Sequence, residues 1–276
     1  MPGPPCTAMT RKAEAATEPR GRPGLYRLLA WLSPGFPIGA FSYSHGLEAA
    51  VADSAVHDRM SLAGWIAAMV AQGGGRIDAD VLCAAYRAAQ DGDVTALDAA
   101  NRRGIAFRAT AELALEAAQP GAAFLATCRA AWPDAFLEAW AAPHPDPLPA
   151  SGERENMGMA SPRVPSPRLR GEGQGEGGVC HAAVFGAAAA RAGIALDDAL
   201  IGYLQAFAAN LVSAGLRLGI IGQTDGQRIL SALEPVVGRA AAAAAIRDPG
   251  DFGGATFAAD LASMAHETQY TRLFRS

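Results

Sequence analysis

Across residues 197–218 the larger apolar side chains Leu200, Tyr203, Leu204, Phe207, Leu211 and Leu218 recur at spacings that set them along one face of an α-helix. Small residues lie among them, Ala206, Ala208, Ala209, Ser213, Ala214 and Gly215, and these let neighbouring helices approach closely. A chain containing such a helix has to surround it, so this segment is predicted to be central. The same period recurs in Leu62, Trp65, Ile66, Met69 and Val70, and again in Ile229, Leu230, Leu233, Val236 and Val237. Alternating Val, Ile and Thr runs between hairpin turns do not occur, while alanine, the strongest helix former, is abundant. The alanine run 240–245 is most simply a helix packing surface. The expected fold is all-α, a single helical bundle domain of roughly eight to ten helices.

Two segments lack this period. Residues 1–24 are rich in Pro, Gly, Arg and Ala and are predicted to be a disordered N-terminal extension, which leaves residues 25–276 as the helical domain. Residues 142–178 hold Pro143, Pro145, Pro147, Pro149, Pro162, Pro165 and Pro167 among Gly, Ser, Glu and Arg. Proline removes backbone donors, and too few large apolar residues are present to offset the entropy of ordering this stretch. It is expected to be a low-complexity surface insertion.

Composition narrows the function classes. With a formal charge of -4 and half of 276 residues hydrophobic, the chain can bury a large core but does not present a basic surface for nucleic acid over its whole extent. Cys6, Cys83, Cys128 and Cys180 are scattered without CxxC spacing, which argues against a zinc site or a disulfide framework and favours the reducing cytoplasm. No signal-like apolar stretch follows the N-terminal basic residues, and no uninterrupted apolar run is long enough to span a membrane.

Catalytic motifs are absent: there is no GxxxxGK[ST] loop, no HExxH helix and no GxSxG elbow. Cys180-His181 is the one adjacent pair of soft ligands, and sequence neighbours on a helix point about 100° apart, so a buried structural Cys beside a core or rim His is the simpler assignment. Three polar clusters stand out. SPGFPIGAFSYSHGLE (residues 33–48) combines a turn with Ser42 or Ser44 as a helix cap, and His45 and Glu48 would share one helical face. GQTDGQR (residues 222–228) sits between two periodic helices, as a loop in which Thr224 or Asp225 caps the second. HETQYTRLFRS (residues 266–276) closes the chain with consecutive hydrogen-bonding groups that a core helix would have to satisfy one by one. It is either a frayed end or an interface segment. An enzyme reading stays open, a small helical enzyme with His45, Glu48 and Asp225 as acid/base groups, provided that they converge in a pocket.

Taken in order, SPGFPIGAFSYSHGLE, NLVSAGLRL, GQTDGQ and HETQYTRLFRS resemble the UreF family of urease accessory proteins, over nearly all of residues 25–276 except the Pro/Gly-rich stretch. The resemblance implies an all-α, homodimeric, non-enzymatic, cytoplasmic protein. It would work in a complex with UreD (also called UreH) and the GTPase UreG, coupling GTP hydrolysis to nickel delivery into the urease apoprotein. By this resemblance no cofactor would be bound stably, and nickel would be handled by the complex. By the same resemblance Phe41, Ser42, Ser44, His45, Gly46 and Glu48, with Gln223, Thr224, Asp225 and Gln227, would face UreG. His266, Glu267, Gln269, Tyr270, Arg272, Leu273, Phe274 and Arg275 would dock UreD, as a tail mobile in the free protein and anchored through Tyr270 and Phe274. One departure adjoins that tail: Ala265 stands where many members of the family carry Arg.

Overall fold

The computed structural model describes residues 23–141 and 178–276. Residues 1–22 of the expected N-terminal extension and all but the last residue of the expected insertion lie outside the described residues, while Pro23 and Gly24, expected in the extension, already begin the first helix. Eleven α-helices and a single 3-10 turn (Ala40–Ser42) make up the elements, with no strand among the described residues. The all-α expectation therefore holds. The helices are α1 (Pro23–Trp31), α2 (Leu47–Ala52), α3 (Arg59–Gln72), α4 (Gly74–Asp91), α5 (Val94–Ala106), α6 (Ala111–Ala131), α7 (Ala135–Ala141), α8 (His181–Arg191), α9 (Leu196–Arg217), α10 (Gln223–Ile246) and α11 (Phe257–Glu267).

Local chemistry sets several boundaries. Asp58 caps α3 in a reciprocal box with Ser61, its carboxylate accepting from the Ser61 amide at 2.8 Å. Asp93 and Thr110 accept from the third-residue amides of α5 and α6. Gly92 ends α4 in the left-handed conformation.

The periodic segment of the sequence becomes α9, and its Leu200, Tyr203, Leu204, Phe207 and Leu211 are buried against α3, α4 and α10. The most enclosed element is nevertheless α8, in which every residue from Ala182 to Ala189 is buried. Its closest partner is α4. At Gly186 a Cβ would lie 2.5 Å from the carbonyl oxygen of Leu82, so the two backbones touch where no side chain intervenes. Beside them Trp31 meets the rings of Phe124, Trp132 and Phe185 edge-on at 5.6 to 6.2 Å. The alanine run lies in α10, with Ala241 and Ala244 buried and Ala242 and Ala243 exposed. By length and composition α9 and α10 are both apolar enough to cross a bilayer, but most of the apolar window of α9 is buried inside the bundle.

Candidate functional site

The N-terminal motif folds as a reversal of the chain. His45 and Gly46 both have positive φ, 53° and 74°, immediately before α2 begins at Leu47. Gly46 is required there on two grounds: its φ disfavours any side chain, and a Cβ would lie 2.8 Å from the backbone nitrogen of Ser263 in α11. His45 therefore precedes the helix and does not share a face with Glu48. Gly46 is the N-cap position of α2, and Ser44 reaches the first turn from outside, its hydroxyl accepting from the Glu48 amide at 3.4 Å; Ser42 does not cap the helix. The Ser44 hydroxyl also donates to the Ser276 carbonyl, which accepts from the Ser44 amide at 2.9 Å.

Those contacts bring the last motif onto the first. Glu48 Oε1 accepts from the Leu273 amide at 2.7 Å, and Oε2 accepts from the Phe274 amide at 2.9 Å. His266 is fully buried between two carboxylates, with Nε2 3.1 Å from Glu48 Oε2 and Nδ1 2.7 Å from Glu112 Oε2. Glu112 also accepts from Arg272 at 2.6 Å, and the Arg275 amide donates to the Ser42 carbonyl at 2.8 Å. Phe274 is buried, with the Arg217 guanidinium 4.1 Å from its ring centroid. Thr110 anchors the approach from the other side, its hydroxyl 2.8 Å from that of Ser263.

The expected mobile tail is thus corrected: residues 266–276 are built into the fold of the free chain. The physical reason is that α2 and α6 supply the acceptors that the run of polar groups demands. Phe274 is consequently not an accessible anchor, whereas Tyr270 is fully exposed and Leu273 more than half exposed. Gln269 turns back on its own segment, donating to the Thr271 carbonyl at 3.0 Å, and Glu267 accepts from the Ala111 amide at the start of α6.

A second buried pair lies beneath the tail. Glu116 accepts from the Ser276 hydroxyl at 2.7 Å, and its other oxygen is 3.1 Å from His45 Nε2. The distance alone would suggest an ion pair. Burial opposes charge on both partners, pushing Glu116 up to about 8 and His45 down to about 4, so the contact is a hydrogen bond between neutral groups sharing one proton.

The middle cluster is placed elsewhere. Gly222 is the N-cap of α10, and Gln223, Thr224 and Asp225 form its first turn, so the expected capping loop is already helix. Asp225 complements the positive end of that helix and pairs with Arg228 at 3.0 Å and Arg59 at 3.7 Å. Gln223, Thr224 and Gln227 are exposed, while Gly226 packs on Val212 and Leu216. His45, Glu48 and Asp225 each have separate partners and do not converge, so the enzyme reading loses its pocket. Cys180 and His181 are core groups. The Cys180 amide donates to Asn101 at 2.7 Å, and the His181 ring packs on Phe124 and Tyr203. Among the described residues no group of three His, Cys, Asp or Glu is arranged to hold a metal ion.

Sequence reasoning missed Glu112, Glu116 and Gln119, which receive the tail along one face of α6. The signal was present: their spacing of four and three draws a polar stripe on an otherwise apolar helix.

The family model UreF matches residues 56–234. A urease accessory protein UreF of Granulibacter bethesdensis is 44% identical over 262 residues, covering 95% of this chain and 98% of the relative. One of Rhodopseudomonas palustris (strain BisB18) is 39% identical over 270 residues, covering 98% and 99%, and one of Bradyrhizobium sp. (strain ORS 278) is 42% identical over 252 residues, covering 91% and 92%. With well over half the chain matched by the model and nearly all of it by such relatives, the chain belongs to the UreF family.

Proposed function

We propose that this chain is a urease maturation scaffold that bridges UreD (UreH) and the GTPase UreG. In this reading it couples GTP hydrolysis to the delivery of nickel, the cargo, into the urease apoprotein, and it does so in the cytoplasm, as a homodimer, without catalysis of its own. The observation that carries the reading is the joining of the first and last motifs into one surface by Glu48. A tail held rigidly presents its exposed groups to a partner without paying to order them on binding. Tyr270 and Leu273 are those groups on the tail, and Phe257, Leu261 and Met264 continue the apolar surface along α11 at spacings of four and three. The buried residues His266 and Phe274 support this surface from below. Gln223, Thr224 and Gln227 at the start of α10 remain the candidate contacts to UreG. Because the chain carries no P-loop, it acts on the nucleotide through its partner.

Co-purification of the full chain with UreD and with UreG tests this. Replacing Tyr270 and Leu273 together by Ala is expected to abolish capture of UreD while leaving helical content and thermal unfolding unchanged. A folded wild-type chain that captures neither UreD nor UreG would overturn the proposal.

A further inference from the structure

Of the first-motif residues expected to face UreG, Ser44, His45, Gly46 and Glu48 are buried and Ser42 is half-buried. Phe41 is the exception, with 66% of its surface exposed. One exposed apolar side chain is ordinary on a protein surface, but this one is fixed in place. The 3-10 turn around it is closed by the Ser42 amide, which donates to the Gly39 carbonyl at 3.1 Å, and by the Tyr43 amide, which donates to the Ala40 carbonyl at 3.2 Å. Two further bonds tie it to the far end of the chain. The Phe41 carbonyl accepts from Arg217, whose guanidinium lies 4.1 Å from the Phe274 ring centroid, and the adjoining Ser42 carbonyl accepts from the Arg275 amide at 2.8 Å. Phe41 therefore stands at the edge of the seated tail, the segment that also turns Leu273 outward.

Charge narrows what this surface fits. Arg217 and Arg275 are both exposed, and among the described residues their guanidinium groups donate only to neutral acceptors, Arg217 to the Phe41 carbonyl and Arg275 to Gln119 at 3.2 Å. Arg272, by contrast, is paired with Glu112. Apolar groups bordered by guanidinium groups without a carboxylate suit an apolar patch edged by acidic side chains. We propose that Phe41 and Leu273 are two anchors of one docking surface and that UreD occupies both, its acidic side chains meeting Arg217 and Arg275. This rests on the docking of UreD to the tail proposed above and adds the first motif to that side, leaving UreG the separate contacts at the start of α10. A ring already held in position is not ordered at the moment of binding, so its burial counts in full toward affinity. Ser44 and Glu48 are positioning residues, which reach the partner only through the tail.

Titration of the full chain with purified UreD alone, and separately with UreG alone, tests this. Phe41→Ala is expected to weaken UreD binding about tenfold, the loss of one aromatic anchor, and to leave UreG binding and thermal unfolding unchanged. Phe41→Tyr, which keeps the ring, should bind UreD as wild type does. Added salt should weaken the wild-type complex with UreD, and less so that of Arg275→Gln. Wild-type affinity of Phe41→Ala for UreD, a loss of UreG affinity in that variant, or a UreD affinity indifferent to salt would overturn the proposal. The variant with both Tyr270 and Leu273 replaced by Ala separates the two levels of the account. If it loses UreD while Phe41→Ala does not, only the assignment of Phe41 falls; if it too keeps UreD, docking to the tail falls with it.

Discussion

Glu48 holds the account together at the scale of single residues. One carboxylate accepts two backbone amides of the tail and faces a buried imidazole, and hydrogen bonds to a charged group are each worth about 1.5–3 kcal/mol. Glu48→Gln keeps the shape but loses the charge, and is expected to lower stability by about 2 kcal/mol in urea unfolding. The Glu116–His45 pair makes a pH prediction. Glu116 is raised to about 8 in the folded chain, so the native state binds more protons than the unfolded one from the ordinary carboxylate range up to that value, and stability is lost as pH rises through it. His45 and His181, both lowered to about 4, act oppositely: the native state binds fewer protons, and stability rises with pH up to the ordinary imidazole range. Above that range Glu116 acts alone. Unfolding free energy is therefore expected to fall by roughly 1 kcal/mol between pH 6.5 and 8, the last of the histidine gain offsetting part of the Glu116 loss, and Glu116→Gln should abolish this decline. A wild-type profile that is flat or rising there contradicts the neutral pair.

At the scale of elements, backbone approach matters as much as side-chain volume. Gly186 lets α8 touch α4, and Gly186→Ala is expected to cost about 1–3 kcal/mol because the Leu82 neighbour is rigid helix backbone. Gly238 is the contrast, lying on exposed α10 with open space around its Cα, so Gly238→Ala should stabilise by about 0.5–1 kcal/mol. Melting curves of the two variants would separate packing from propensity. The helices themselves were legible in the sequence because Leu200, Leu204, Phe207 and Leu211 repeat at the helical period. The central place of α8 was not. An alanine-rich stretch such as residues 182–189 has no amphipathic contrast, so periodicity cannot tell a buried helix from an exposed one. The start of α10 was misplaced for a related reason: Thr224 and Asp225 are good caps by type, and only the backbone reveals that Gly222 already fills that position.

At the scale of the whole molecule, the first and last motifs are separated by more than two hundred residues and still form one surface. Their polar composition was evident, and so was their resemblance to the UreF family. Their juxtaposition was hidden, because a sequence does not state which distant acceptors will satisfy a run of donors. Residue type suggested an exposed tail with Phe274 as an anchor; tertiary acceptors at Glu48, Glu112 and Glu116 bury Phe274 and leave Tyr270 and Leu273 outward. Partner binding is expected to follow this division. Tyr270→Ala with Leu273→Ala should lower UreD capture without lowering stability, whereas Glu48→Gln should lower both, as co-purification and unfolding measured on the same samples will show. The claim beneath all of these is that the tail is already seated in the free protein. Amide hydrogen exchange of the isolated full chain tests it most directly: the Leu273 and Phe274 amides are expected to be protected in wild type and to lose protection in Glu48→Gln. Exchange of both amides in the wild-type chain at the rate of an unstructured peptide would contradict it.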